Sequence, residues 1–330
     1  MPSPYKALKK EIAGVVVRNA LLAPLTTFAL GGKADLLVVP RTVEDVVTVV
    51  AACRGSGTPL YVMGAGSNLI VPDDGVRGVV LRLPSRTPAC NTEEEKRLSG
   101  QSWQRRPEGQ GLSSMSMGDG VITAQAGVTD PELAEFALAH SVPGYEWVYD
   151  LPGSVGGAVF MNAGNNEGEM QERLLSVRWV TPEGELCEAG PEQLDFGYRA
   201  SVFHRRPGII VETKLKADVR GSDGRIYAKM QRIKAVRRSK FPPRLLCAGS
   251  IFKRPPGHYA GKLIEDAGLG GLRVGDALVA EEHKGFIINA GNATATDVTG
   301  LIQLVRERVL EASGVELETE VELFSTRRFV

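Results

Sequence analysis

Two glycine-rich segments constrain the fold of this chain more than any other feature of its sequence. The first is Met63-Gly64-Ala65-Gly66-Ser67-Asn68, and the second is Pro152-Gly153-Ser154-Val155-Gly156-Gly157-Ala158. Runs of glycine and small residues let backbone N–H groups approach phosphate oxygens closely, and adjacent amides form an anion-binding concavity without a lysine. Two such loops suit a diphosphate that lies between two lobes. Taken singly, each loop is explained equally well as a tight turn beside a strand.

Neither loop matches a common nucleotide-binding motif. No Gly-Lys-Ser/Thr follows, as a Walker A loop requires, and neither segment fits a G-x-G-x-x-G motif followed by a helix and a distant acid. The occurrence of both loops in one chain, with Asn68 and Asn162 as further polar contacts, makes the diphosphate interpretation stronger.

The composition limits the classes of partner. The 330 residues are 43% hydrophobic, which is enough for two or three domains with their own cores. Because 39 Lys and Arg residues balance 39 Asp and Glu residues, we expect no general attraction to nucleic acid or anionic lipid, and a small-molecule partner is favoured. The sequence has no apolar run of signal-peptide length and no stretch near 18 uncharged apolar residues. We therefore expect a cytoplasmic protein without a membrane segment.

The cysteines predict neither a metal site nor a disulfide scaffold. They lie far apart, form no C-x-x-C pair and have no matching histidine cluster. We interpret all four as reduced thiols that mostly serve packing, and they are Cys53, Cys90, Cys187 and Cys247.

The order of predicted elements indicates an α/β or α+β protein. A helix is predicted from Thr42, because a threonine cap and an early acidic residue precede apolar positions at helical spacing. A short strand then enters the first glycine loop. Residues 84–120 are rich in Ser, Pro, Gly and charge, and we predict an inserted flexible surface loop there. A capped helix follows from Thr129, and LSVRWVTPEGELCEA predicts a β-hairpin.

A further domain is predicted to begin near Gly221. The segment DVRGSDGR reads as a linker, and MQRIKAVRRSK is predicted to begin a new helix. Later, HKGFIINAGNATATDVTGLIQLVRERVLEAS predicts a strand, a turn and a long capped helix that ends at Gly314. The segment VELETEVELF predicts a strand that can form a sheet edge.

Six ordered motifs carry a family resemblance that spans nearly the whole chain outside residues 84–120. They are PLYVMGAGSNLIVPDDGVRGVV, LPGSVGGAVFMNAG, FGYRASVF, AGSIFKRP, AGKLIEDAGLGGLRVGDALVAEEHKGFIINAGNATATDV and LETEVELF. Their order resembles that of the UDP-N-acetylenolpyruvoylglucosamine reductase family. The resemblance implies an α+β fold with a two-lobed FAD-binding unit of the vanillyl-alcohol oxidase type and a separate α+β substrate domain. The implied parts are lobe 1 (1–83), the insertion (84–120), lobe 2 (121–219), the UDP-sugar domain (220–316) and a strand returning to lobe 1 (317–330).

The resemblance also implies the reaction. Members of the family use NADPH and FAD to reduce the enolpyruvyl ether of UDP-N-acetylenolpyruvoylglucosamine to UDP-N-acetylmuramate, a peptidoglycan precursor. NADPH reduces FAD, leaves, and is replaced by the sugar nucleotide in the same cleft. The resemblance assigns the following residues to FAD: Met63, Gly64, Ala65, Gly66, Ser67, Asn68, Leu69, Pro152, Gly153, Ser154, Gly156, Gly157, Ala158, Asn162, Ala163 and Gly164.

Three residues match the catalytic positions of the family. Reduction places a hydride on one carbon and a proton on the neighbour that bears the carboxylate, so negative charge builds up as an enolate. By resemblance, Ser250 donates the proton, Arg199 stabilises the enolate, and Glu320 is the catalytic glutamate, either protonated or paired with Arg199. Without the family context, Ser250 reads as a turn residue, Arg199 as a surface ion-pair residue and Glu320 as a solvated strand residue. Thr319 stands where the family often has proline.

The resemblance places five residues near the UDP-sugar, namely Tyr198, Lys240, Lys253, Arg254 and His283. Arg254 replaces a common asparagine, although a guanidinium can still contact phosphate through two hydrogen bonds. A lone histidine is more often structural than a ligand. The span from Val219 to Lys240 is too short for the tyrosine-bearing loop of some members, so the chain resembles the subclass without it, and no role passes to Tyr227.

Two other functions stay open at this point, and no metal is expected. One is another FAD-linked oxidoreductase of the same fold, such as an alcohol oxidase, which would need a base and often a tethering His or Cys near the loops. The other is a non-catalytic UDP-sugar sensor, which would have no reason to retain Arg199, Ser250 and Glu320 together. We expect a monomer.

Overall fold

The computed structural model describes residues 4–83, 112–217, 219–240 and 245–330. Within these ranges the chain forms two neighbouring lobes, each built around one larger sheet, and a third unit with its own sheet. The predicted insertion lies mostly outside the described residues. None of the helices in the described ranges has the length and apolar character of a membrane span.

The first lobe has a four-stranded sheet in the order β1-β2-β5-β3, in which β1 is antiparallel to β2 and the other pairs are parallel. Its elements are α1 (Tyr5–Glu11), β1 (Val15–Leu21), β2 (Lys33–Val39), α2 (Val43–Ser56), β3 (Leu60–Met63), β4 (Leu69–Ile70) and β5 (Val76–Arg82). The helix predicted from Thr42 is confirmed as α2. Thr42 Oγ1 accepts a hydrogen bond from the Asp45 N–H at 3.1 Å, and Gly57 ends the helix with φ of 62°.

The second lobe has a five-stranded antiparallel sheet in the order β11-β10-β12-β7-β6. Its elements are β6 (Met115–Gly118), β7 (Val121–Gln125), α3 (Asp130–Ala139), α4 (Val155–Met161), β8 (Gly164–Asn165), β9 (Gly168–Glu169), α5 (Met170–Arg173), β10 (Leu174–Val180), β11 (Leu186–Ala189) and β12 (Ile209–Lys216). The predicted hairpin is confirmed as β10 and β11. Buried side chains of both lobes, such as Val46 and Ile122, belong to one continuous core.

The predicted insertion is wrong at its C-terminal end. Met115–Gly118 form a strand that pairs with Val121–Gln125, instead of continuing a loop to residue 120. Asp119 and Gly120 connect the strands with φ of 50° and 73°. Two positive φ values in a two-residue connection are typical of the turns that join tight hairpins, and Asp-Gly is a favoured sequence for them. The Asp-Gly pair was the sequence signal for this hairpin.

The helix after the predicted linker belongs to the second lobe. It is α6 (Asp223–Lys240), and it starts seven residues before the predicted Met230. Ile226 and Met230 are buried in the core that the two lobes share, and the helix packs against α3. The structure therefore differs from the predicted domain boundary at residue 220, because the apolar side of this helix is covered by the second lobe.

The third unit has a four-stranded sheet in the order β13-β16-β15-β14 and a separate core. Its elements are β13 (Cys247–Ser250), α7 (Ala260–Asp266), β14 (Arg273–Val274), β15 (Ala277–Val279), β16 (Phe286–Asn289) and α8 (Ala295–Ser313). The long helix ending at Gly314 is confirmed, with a capping box between Thr294 and Asp297. Phe28 and Ile70 of the first lobe are buried in this third core, which fastens the two units together.

The C-terminal segment returns to the first lobe but forms less strand than predicted. A two-residue strand, β17 (Glu322–Leu323), pairs in parallel with β4. Leu317 and Val321 are buried in the core of the third unit, whereas Phe324 is buried in the first lobe. Because the segment crosses from one core to another, it cannot add a continuous ten-residue strand to either sheet.

Candidate active site

A cavity of about 1080 Å³ lies where the two lobes, the third unit and the C-terminal segment meet. Both glycine loops line it, and so do Arg199, Ser250 and Glu320. The tertiary structure therefore brings together three side chains that are far apart in the sequence.

The two glycine loops lie close together in the lining of this cavity. A Cβ atom at Gly64 would lie 2.8 Å from Ser154 Oγ, so a side chain there would collide with the opposite loop. Gly66 has φ of 73°, and a Cβ atom there would overlap the backbone carbonyl of Leu25. The loop thus needs glycine for close approach at one position and for its backbone conformation at another.

The second glycine loop leads into α4, and two of its glycines, Gly156 and Gly157, face different surroundings. A Cβ atom at Gly156 would lie 2.7 Å from the Ala126 Cβ, so this glycine allows the helix to pack against the second lobe. At Gly157 the nearest heavy atom would be Ser154 Oγ at 3.4 Å, on the side of the cavity. The Ser154 hydroxyl is buried and has no hydrogen-bond partner among the described residues. Bare backbone and an unused hydroxyl are groups that a diphosphate would engage.

Two residues predicted to contact the cofactor lie outside the cavity lining. Met63 is fully buried in the first lobe. Asn162 is fully buried with φ of 42°, and its Nδ2 donates to the Gly197 carbonyl at 3.0 Å. Its side chain thus supports the turn that carries Arg199. The other predicted cofactor residues line the cavity.

Arg199 is held in place by contacts within the chain. Gly197 and Ala200 exchange two backbone hydrogen bonds across a tight turn, and Arg199 in that turn has φ of 52°, a sparsely populated conformation for a side chain of this size. The guanidinium Nε donates to Glu320 Oε1 at 2.9 Å, and Nη2 donates to the Gly164 carbonyl at 2.5 Å. Two of its donors are therefore used to orient the group.

Glu320 is a mostly buried carboxyl in the cavity wall, with 18% of its side chain exposed. Burial raises the pKa of Glu320, the charges of Arg199 and Lys253 lower it, and the net direction is upward from the ordinary value. Asn68 Nδ2 donates to the Glu320 backbone carbonyl at 3.0 Å, which links the carboxyl-bearing segment to the first glycine loop.

Ser250 ends strand β13 and is exposed to the cavity. The preceding Gly249 has φ of 75°, which turns the chain at this point. The Glu320 N–H donates to the carbonyl of Ile251 at 2.7 Å, so the residue after Ser250 is bonded directly to the C-terminal segment. This backbone contact brings the segment that carries Ser250 next to Glu320, although the two residues are 70 positions apart in the sequence.

Three of the five predicted substrate residues line the cavity. Tyr198, Arg254 and His283 line the cavity, and the Arg254 N–H donates to the Tyr198 hydroxyl at 3.3 Å. Lys253 lies outside the lining, where its Nζ donates to Glu318 Oε1 at 2.5 Å. Lys240 is the last residue of α6, and its side chain lies outside the described part of the structure.

Several cavity residues were missed by the sequence analysis. The Phe160 ring lies 4.2 Å from the His204 ring and 4.5 Å from the Arg327 guanidinium. Burial, reinforced by the charge of Arg327, lowers the pKa of His204 to about 4, so this imidazole is neutral at physiological pH. Arg254 also stacks on the Tyr259 ring at 4.0 Å. No short motif pairs Phe160 with His204 or Arg327, because these contacts join segments that only the fold brings together.

Comparisons with known proteins agree along most of the chain. A family model described as UDP-N-acetylenolpyruvoylglucosamine reductase, C-terminal domain, matches residues 242–324, and one described as FAD binding domain matches residues 34–97 and 108–190. A UDP-N-acetylenolpyruvoylglucosamine reductase of Syntrophomonas wolfei is 38% identical over 298 residues, covering 90% of this chain and 91% of its own length. One from Listeria welshimeri is 38% identical over 317 residues, covering 96% and 98%.

A solved structure agrees with these sequences. The crystal structure of UDP-N-acetylenolpyruvylglucosamine reductase from Thermus caldophilus is 34% identical and superimposes with a TM-score of 0.71, covering 95% of this chain and 99% of the other.

Proposed function

Because the chain belongs to the UDP-N-acetylenolpyruvoylglucosamine reductase family, we propose that its reaction takes place at Arg199, Ser250 and Glu320 in the shared cavity. The chain is a flavin-dependent oxidoreductase that uses NADPH and FAD to reduce UDP-N-acetylenolpyruvoylglucosamine in peptidoglycan precursor synthesis. The predicted family, fold class, function and cofactors are confirmed by the comparisons. The alternatives of an alcohol oxidase and a UDP-sugar sensor have no support from them.

The two glycine loops are the proposed binding site of the FAD diphosphate. When bound, FAD supplies the group that accepts hydride from NADPH and delivers it to the enol ether. The loops offer backbone amides without side chains, and Ser154 offers a buried hydroxyl without a partner among the described residues. These features support the assignment of segments 64–69 and 152–158 to the diphosphate.

Arg199 is proposed to stabilise the negative charge that develops on the substrate carboxylate. Its guanidinium is oriented in advance by Glu320 and by the Gly164 carbonyl, so no reorganisation is needed when the charge appears. Glu320 balances part of the guanidinium charge and fixes its direction. The partly buried surroundings strengthen the interaction between Arg199 and an enolate compared with water.

Ser250 is proposed to donate the proton to the carbon next to the carboxylate. A serine hydroxyl is a poor acid in water, so this role depends on close placement beside a carbanion-like acceptor. The observation that carries the assignment is the hydrogen bond between the Glu320 N–H and the Ile251 carbonyl. It sets Ser250 at the same end of the cavity as the ion pair of Arg199 and Glu320.

The substitution Ser250→Ala tests this assignment by separating the two half-reactions. We expect reduction of the enolpyruvyl sugar to slow by about 10²-fold or more, because the proton donor is removed. Reduction of the flavin by NADPH should stay within about threefold of the unchanged protein, since that step needs no proton from Ser250. Stopped-flow absorbance of the flavin measures both steps separately.

Ser176→Ala is a matched control for this experiment. Ser176 lies on the surface of the second lobe, where its hydroxyl bonds Glu188 at 2.6 Å, and it does not line the cavity. Both half-reactions should be unchanged in this variant. Equal losses in the two half-reactions of Ser250→Ala would remove Ser250 from the donor role.

We also propose that the protein acts as a cytoplasmic monomer. NADPH and UDP-sugars are highly charged and do not cross a hydrocarbon layer, which favours the compartment where both are present. All three proposed catalytic groups come from one chain, so a single copy can complete the site. A partner copy that contributes a residue to the cavity would contradict this proposal.

A further inference from the structure

Asp130 is a buried acid in the wall of the cofactor cavity. It is the first residue of α3, and its exposed fraction is 1%. Its N–H donates to the Gly153 carbonyl at 3.2 Å, and the neighbouring Thr129 forms a β-bridge with Ser154. Asp130 therefore lies directly beneath the second glycine loop.

The carboxyl group of Asp130 occupies the space that a side chain at Gly153 would need. A Cβ atom at Gly153 would overlap Asp130 Oδ2, so glycine at this position leaves the carboxyl in contact with the loop. Asp130 Oδ1 is buried and has no hydrogen-bond partner among the described residues, and the same is true of Ser154 Oγ. Two unsatisfied polar groups at one place are uncommon in a folded protein and indicate a missing partner.

The surroundings of Asp130 favour the neutral acid. Desolvation by burial raises the pKa of Asp130 to about 8. The start of a helix favours a carboxylate, but that effect is smaller than the cost of burying a charge without a hydrogen bond. At neutral pH the protonated form is therefore favoured.

The charged groups on the elements around Asp130 include several that are engaged elsewhere or exposed. Among them are Glu132 and Glu135 on its own helix, Glu146 and Asp150 on the segment that precedes the second loop, and Lys229, Arg232, Lys234 and Arg237 on α6, which also carries Asp223, Arg225, Arg238 and Lys240. Glu132 accepts from Thr129, and Glu135 is exposed. Of the basic residues, Lys229, Arg232, Lys234 and Arg237 contact Glu146, Glu167, Asp150 or the Tyr149 ring. The two glycine loops contribute no titratable side chain.

We propose that Asp130 binds the FAD diphosphate as a neutral carboxylic acid that donates its O–H to a phosphate oxygen, beside the hydroxyl of Ser154. A carboxylate at this position would repel the diphosphate, whereas the protonated acid has one donor and no charge. A hydrogen bond from a neutral donor to an anionic oxygen is stronger than one between two neutral groups. The inference rests on the proposed placement of the diphosphate at the two loops.

Proton-linked binding is the measurable consequence. The bound diphosphate stabilises the neutral acid further, so the pKa of Asp130 in the complex is higher than in the free protein. Between these two pKa values, FAD affinity falls about tenfold for each unit of pH, because a proton must be taken up on binding.

The experiment is a titration of the flavin-free protein with FAD, followed by quenching of flavin fluorescence from about pH 6 to about pH 9.5. At the low-pH end of this range the unchanged protein should bind FAD with constant affinity. At the high-pH end its FAD affinity should be lower by about tenfold or more. Asp130→Asn keeps a neutral donor without a titrating proton, so its affinity at pH 7 should stay within about threefold and should not share the alkaline loss. Glu135→Gln, on the exposed side of the same helix, should behave as the unchanged protein does.

Two results would overturn the role of Asp130. One is an affinity of the unchanged protein that does not depend on pH over this range, which needs no variant to observe. The other is the same alkaline loss in Asp130→Asn. Either result leaves FAD binding by the loops intact, whereas an undiminished FAD affinity in a variant that fills the space between the loops would contradict the placement of the diphosphate itself.

Discussion

The two ends of the cavity are built on opposite principles. At one end the proposed flavin cradle, residues 64–69 and 152–158, is formed mainly by glycines and other small residues, and Gly64 and Gly157 face each other across Ser154. At the other end the proposed reactive group, Arg199 and Glu320 with Ser250 on a neighbouring segment, is formed by side chains that converge from separate segments. Each loop of the cradle is local in sequence, whereas no part of the reactive group is formed until distant segments meet in the folded chain.

This difference predicts which kind of substitution impairs each end of the cavity. Adding atoms should damage the cradle, because the backbone must approach the ligand closely. Removing a functional group should damage the reactive group, because its charge and its proton are proposed to act on the substrate. FAD affinity reports on the first end, and the rate of enol ether reduction reports on the second, so the two kinds of failure can be measured separately.

The largest effect is expected at the reactive end, from Arg199→Lys. A lysine cannot maintain both the Nε bond to Glu320 and the Nη2 bond to the Gly164 carbonyl, so the charge is no longer oriented toward the carboxylate. We expect enol ether reduction to slow by about 10³-fold, with FAD content unchanged. Single-turnover kinetics with pre-reduced protein measure this rate.

Arg205→Lys serves as the control, since Arg205 is exposed and pairs with Asp195 outside the cavity lining. Loss of bound FAD in Arg199→Lys would contradict the prediction that FAD binding and enol ether reduction can be impaired separately.

A smaller effect is expected at the cradle, from Gly157→Val. The valine methyl groups would fill the space between the two loops, next to Ser154 Oγ, while the helix itself accepts valine better than glycine. We expect FAD affinity to fall by about 10²-fold and the flavin-free protein to remain folded. Flavin fluorescence and circular dichroism check the two statements.

Gly118→Val is the matched control, because a Cβ atom at Gly118 meets no heavy atom within 4 Å. An unchanged FAD affinity in Gly157→Val would show that the diphosphate lies elsewhere.

The smallest effect is expected outside the cavity lining, at Asp73, where the first lobe is fastened to the third unit. Its carboxylate accepts from the N–H groups of Ala295 at 2.6 Å and Thr296 at 3.0 Å, and so caps α8 of the third unit. Asp73→Ala should lower the free energy of unfolding by about 1 kcal/mol, as loss of a helix cap does. Urea unfolding at neutral pH measures this, with the neighbouring exposed Asp74→Ala as the control.

The same contact has a predictable pH dependence. Partial burial raises the pKa of Asp73, but the hydrogen bonds from Thr296 and Ala295 outweigh it, and the net direction is below the ordinary value of 3.8. Because the folded-state pKa is lowered, the contribution is fully present above pH 3.8 and is lost as pH falls through the folded-state pKa. Equal acid sensitivity of the unchanged protein and Asp73→Ala would contradict this contribution.

Local patterns in the sequence determined the features that depend on neighbouring residues. The cap of Thr42 on Asp45 and the hairpin around Pro182 are short-range constraints, and each can be inferred from residue types and spacing. The family motifs carried the reaction and its cofactor. The Asp-Gly turn at Asp119 was equally local and was overlooked within a polar stretch.

The tertiary structure alone decided which distant groups meet. It covers the helix of Ile226 with the second lobe, turns Asn162 toward the carbonyl of Gly197 and pairs Lys253 with Glu318 outside the cavity. It also buries Asp130 under a glycine loop that itself contains no acidic residue. Burial, pKa and pairing depend on atoms that are close in space, and spacing along the chain does not encode those distances.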